Sequence, residues 1–60
     1  MRCFHVTTER GDVYGVAATG KREALTMTQE RLTREESADT PKRAECVARW
    51  DAPYGTVLAY

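Results

Sequence analysis

The chain has 60 residues, nine of them Lys or Arg and nine Asp or Glu, so its formal net charge is zero with its one His neutral. That length allows one domain, expected over residues 1–60, which buries only roughly 60% of the surface its unfolded form exposes. At 42% hydrophobic and 30% charged residues the chain is too apolar to be disordered, and no stretch approaches the ~20 apolar residues of a membrane helix.

Other classes fall away on similar grounds. The segment Met1–Val6 carries Arg2 and His5 but no long apolar stretch or cleavage site, so it does not read as a signal peptide. A complete cytoplasmic reading frame is the expectation. Two Cys and one His are too few for a disulfide framework or an enclosed structural zinc, so no metal and no cofactor is expected. Arg outnumbers Lys seven to two, and Ile and Asn are absent, a usage that suggests a GC-rich coding genome and bears on origin rather than fold. A neutral balance argues against a general phosphate-backbone binder, whose affinity comes from clustered Lys and Arg.

Residues 2–8 and 12–18 are rich in β-branched and aromatic types and read as two strands. A two-residue loop at Arg10-Gly11 would oppose Glu9 and Asp12, two like charges. A three-residue loop closed by a left-handed Gly11 instead opposes Thr8 and Asp12, and pairs Val6 with Tyr14 and Phe4 with Val16. The second register puts the large apolar groups on one face and is the one expected.

Residues 21–37 are dense in helix formers. Thr19 or Gly20 can cap the start, Glu35-Glu36 close the helix, and Pro41 lies just past its end. Its apolar stripe is Ala24, Leu25, Thr28 and Leu32, with Met27 at the edge. Glu30 and Arg34 form a favourable i,i+4 pair on the polar side.

Residues 44–51 alternate, with Ala44, Cys46, Ala48 and Trp50 on one side and Glu45, Val47, Arg49 and Asp51 on the other. Ala52-Pro53-Tyr54-Gly55 then suits a type I turn closed by a left-handed Gly. That grammar predicts a second hairpin, with Trp50 opposite Leu58 and Ala48 opposite Tyr60. The competing reading starts a helix at Thr40-Pro41 and runs it to residue 50; strict alternation favours the strand. The fold expected is α+β, order β-β-α-β-β, with two hairpins in a four-stranded antiparallel sheet and one helix on one face.

Patterns with chemical meaning are weak. Gly15 to Lys21 satisfies G-x-x-x-x-G-K, the phosphate-cradling loop, but Arg22 stands where that loop needs a hydroxyl for magnesium. Cys3 and His5 share a strand face, yet residues i and i+2 sit roughly twice as far apart as a nucleophile and base in contact. The chain is expected not to be an enzyme.

In this register one helix covers the side with Phe4, Val6, Tyr14, Val16, Ala44, Cys46, Ala48, Trp50, Leu58 and Tyr60. The other side is small, mildly apolar and sparsely charged, which marks a partner surface. Its candidate contact residues are His5, Thr7, Val13, Val47, Arg49 and Val57. The function expected is a small protein-binding module that occupies a partner's surface or self-associates as a homodimer. Accessory or inhibitory proteins of phages and mobile elements are commonly of this kind. The alternative is a nucleic-acid binder using Arg2, Lys21, Arg22, Lys42, Arg43 and Arg49.

Overall fold

The computed structural model describes residues 2–60. Strands β1 (Arg2–Thr8) and β2 (Val13–Ala18) precede helix α1 (Lys21–Arg34), followed by β3 (Pro41–Arg49) and β4 (Val57–Ala59). The four strands form one antiparallel sheet in the order β3-β1-β2-β4, with α1 packed on one face. This is the expected α+β architecture.

The β1–β2 hairpin has the three-residue loop. Thr8 N–H donates to Asp12 O at 2.8 Å, Gly11 N–H donates to Thr8 O at 2.9 Å, and Gly11 has φ +92°. Only glycine adopts that backbone without strain. Val6 faces Tyr14 and Phe4 faces Val16. The core then assembles from Phe4, Val6, Tyr14, Val16, Ala18 and Ala44 beneath Ala24 and Leu32 of α1, with Leu25, Met27 and Val57 at its margin.

Helix α1 begins at Gly20, which offers no side chain to its first-turn amides. Thr28 is fully buried and satisfies its hydroxyl by donating to Ala24 O at 2.9 Å. The helix closes with Ser37 N–H donating to Leu32 O and Glu36 N–H donating to Thr33 O, a Schellman motif. Glu36 occupies its left-handed position at φ 57°. The ion pair on α1 is Arg31–Glu35 at 2.8 Å, rather than Glu30 with Arg34, and Arg31 also donates to Val57 O at 2.9 Å, tying the helix to β4.

Residues 41–49 are strand, as alternation indicates, but β3 and β4 do not pair with each other. β3 lies against β1, and β4 lies on the far side of β2. A turn forms one residue later than expected: Thr56 N–H donates to Pro53 O at 3.1 Å, which puts Gly55, φ +87°, at its third position rather than its fourth. Its backbone, however, bonds Ala17, with Gly55 N–H donating to Ala17 O and Ala17 N–H to Thr56 O, both at 2.9 Å. The physical reason lies in β2, where every residue except Val13 is buried. A β3–β4 hairpin beside β1 would leave this apolar strand as an open edge. Docking β4 on β2 covers it.

Two bulges break the β1–β3 register. Phe4 opposes Cys46 but Cys3 opposes Ala48, leaving Val47 as the extra residue; Thr7 opposes Arg43 but Thr8 opposes Pro41, leaving Lys42. Each shift inverts the face that later residues present. The predicted core placement therefore fails beyond Val47. Ala48 shares a face with Cys3, and Trp50 is only half-buried beyond the end of β3. Cys46, opposite Phe4, is exposed because β3 is an edge strand.

Candidate functional site

The sheet face opposite α1 carries no helix, although its residues Cys3, Gly15 and Ala17 are buried, and cross-strand register assigns its rows. One row runs Glu45, His5, Gly15 and Leu58; a second runs Arg43, Thr7 and Val13; a third runs Ala48, Cys3 and Ala17. Tyr60 follows β4, and its N–H donates to Val13 O at 2.9 Å. Its ring crosses Gly15, where a Cβ would sit 2.8 Å from the Tyr60 hydroxyl, and reaches His5. His5 Nε2 and the Tyr60 hydroxyl are 3.2 Å apart, and the rings meet edge-on with centroids 5.0 Å apart. Gly15 is thus a strand residue that makes room for an aromatic ring. The G-x-x-x-x-G-K stretch is strand, two-residue link and helix, not a phosphate-cradling loop.

Of the six predicted contact residues, the structure brings His5, Thr7 and Val13 together on this face. Val47 stands at the bulge, 45% exposed. Val57 is corrected: it opposes Val16 and packs against the core on the helix side. Arg49 is corrected as well, since it opposes Arg2, which alternates onto the helix side with Phe4 and Val6. The first error follows from the assumed hairpin, because β4 takes its face from β2, and the second from the bulge, which turns Arg49 over.

Sequence reasoning missed Leu58 and Tyr60, which it placed beneath the helix. They stand on the open face, 50% and 73% exposed. The signal in the sequence was Gly15, a residue without a side chain inside an apolar strand, which marks a close approach. Among the described residues, the charged side chains that register places on this face are Arg43 and Glu45 on the edge strand, an ion pair at 3.6 Å.

The predicted basic set divides. Arg2 and Arg49 are directly opposed and line a depression with Ala18 and Thr19, next to Lys21 and Arg22 at the start of α1. Arg43 lies six residues along β3 from Arg49, about 20 Å away at strand spacing, and Lys42 is its neighbour. Glu23, near the first group, is already engaged. The amide and hydroxyl of Thr19 donate to its carboxylate at 3.0 and 2.9 Å and, with the Tyr54 hydroxyl, hold its pKa below the ordinary glutamate value. Both cysteines are free thiols, and no cluster of three or more His, Cys, Asp or Glu side chains suited to a metal forms among the described residues.

Comparison with known proteins adds no identity. No family model, curated protein or solved structure matches this chain.

Proposed function

We propose that this chain is a small, non-catalytic protein-binding module of the cytoplasm. It acts as an accessory or inhibitory protein by laying the exposed part of the sheet face opposite α1, around Leu58 and Tyr60, on a partner protein or on a second copy. The observation that carries this reading is the exposure of Leu58 and Tyr60 beside His5 and Val13 on a face that α1 leaves open. An apolar and aromatic centre with charge held at the rim is the anatomy of a protein interface.

The sheet edges support a face rather than a strand-addition mode. β4 has three residues, and β3 carries Pro41, Lys42 and two bulges, the devices by which proteins block edge pairing.

Leu58→Asp tests the reading. A carboxylate there costs several kcal/mol in a desolvated interface and well under about 1 kcal/mol on a solvated face. Partner recovery in a pull-down, or sedimentation mass for self-association, should fall while the melt is retained. Retention of both in L58D overturns the sheet-face reading. Steep weakening of an observed association with salt, independent of Leu58, would favour nucleic-acid binding instead.

A further inference from the structure

Arg2 and Arg49 are placed side by side without a counter-ion. They are directly opposed across β1 and β3, an arrangement in which like charges disfavour each other. The ion pairs among the described residues are Arg31–Glu35 and Arg43–Glu45, so neither arginine has an acidic partner. Register continues the row to Ala18, opposite Arg2 on the other side. Its methyl group leaves space, and the two arginines with Ala18 and Thr19 surround a depression of about 270 Å³.

The bulge at Val47 creates this pairing. With an unbroken register Ala48 would face Arg2, and Arg49 would fall on the opposite side of the sheet. The extra residue brings Arg49 beside Arg2, and bulges recur where a side chain must be re-aimed. Thr19 also borders the surface that carries Lys21 and Arg22, two cations in the first turn of α1, where the helix dipole disfavours positive charge. Glu23 already supplies a carboxylate to that first turn through Thr19, so the charge placement left for an anion to relieve is the Arg2–Arg49 pair.

We propose that Arg2 and Arg49 form a fork for a single oxyanion, a phosphate or carboxylate group, seated in the depression over Ala18 and Thr19. Guanidinium groups suit this class because each can donate two parallel N–H bonds to paired oxygens. The site lies on the helix side of the sheet and is independent of the sheet-face reading.

The test is a melt and a calorimetric titration with inorganic phosphate, compared with chloride at equal ionic strength. Wild type should gain melting temperature with phosphate in a saturable manner, by mass action. Arg49→Gln and Arg2→Gln should each weaken phosphate by about tenfold or more, while Arg49→Lys retains part of it. In chloride neither Gln variant should melt below wild type, because the repulsion is gone. Leu58→Asp should leave the phosphate response intact. A glutamate-rich peptide and a duplex oligonucleotide identify the source of the oxyanion, whichever loses binding in R49Q. Absence of a phosphate-specific gain, or a gain that persists in both Gln variants, overturns the proposal.

Discussion

Glu36 holds a left-handed backbone, φ 57°, at the closing position of α1. A side chain there costs about 1–2 kcal/mol relative to the right-handed region, and glycine avoids most of that. Glu36 is exposed, so its replacement removes no core contact. Glu36→Gly should therefore stabilise the domain by about 1 kcal/mol, raising the melting midpoint by roughly 4–8 °C at this size. A melt of E36G at or below wild type would mean that the free-chain entropy of glycine outweighs the strain.

Asp39 is the other residue whose environment has a measurable consequence. Its Oδ1 accepts from the amides of Arg10 and Thr40 at 3.2 and 2.9 Å, while Oδ2 is buried without a hydrogen bond. Burial by itself raises its pKa. The Thr8 hydroxyl, the two amides and the Arg10 charge outweigh burial and hold it below the ordinary aspartate value. A depressed folded pKa means that the contribution is complete above the unfolded aspartate pKa, and is lost as pH falls through that value toward the folded one. Asp39→Asn should melt below wild type at neutral pH, and the gap should close on acidification through about pH 4 and below. A gap that is constant with pH would assign Asp39 a packing role only.

At the scale of elements, the core rests on β1, β2 and α1. Phe4 is 1% exposed and is the largest fully buried side chain, so Phe4→Ala should cost about 3–5 kcal/mol. A domain of this size has a margin of about 5 kcal/mol, and F4A should therefore lack a cooperative melt at room temperature. Trp50 is half-buried beyond β3 and outside the core cluster. Trp50→Ala should cost less than F4A and retain a cooperative transition. Circular dichroism of both variants on heating decides the order, and a W50A chain that unfolds while F4A folds would restore Trp50 to the core.

In the whole molecule the links between elements are made by backbone and by a few long side chains. The α1–β3 connection is strapped to the first hairpin by Glu9 N–H donating to Thr40 O at 3.0 Å and by the Arg10–Asp39 bond. Arg31 joins α1 to β4 through Val57 O. These ties position α1 over one face and leave the other without a helix, with the Arg2–Arg49 depression at the end where β1, β2 and β3 meet. The three-residue loop at residues 9–11, the helix stripe Ala24, Thr28 and Leu32 and a third strand, read over residues 44–51 and observed as Pro41–Arg49, were legible in the sequence. Each depends on neighbours a few residues away: a glycine at a left-handed position, a helical repeat, an alternation. The partner of each C-terminal strand was not legible. Pro53 to Gly55 specify a turn, but they do not say which edge the turn docks on, and the apolar β2 supplied the more favourable edge. Nor could alternation foresee the bulge at Val47, whose consequence is set by pairing with β1 and which reverses Ala48, Arg49 and every face assignment beyond it. Local chemistry determined the elements; burial of β2 on both edges decided their order, and with it which residues, Leu58 and Tyr60 rather than Val57, stand on the open face.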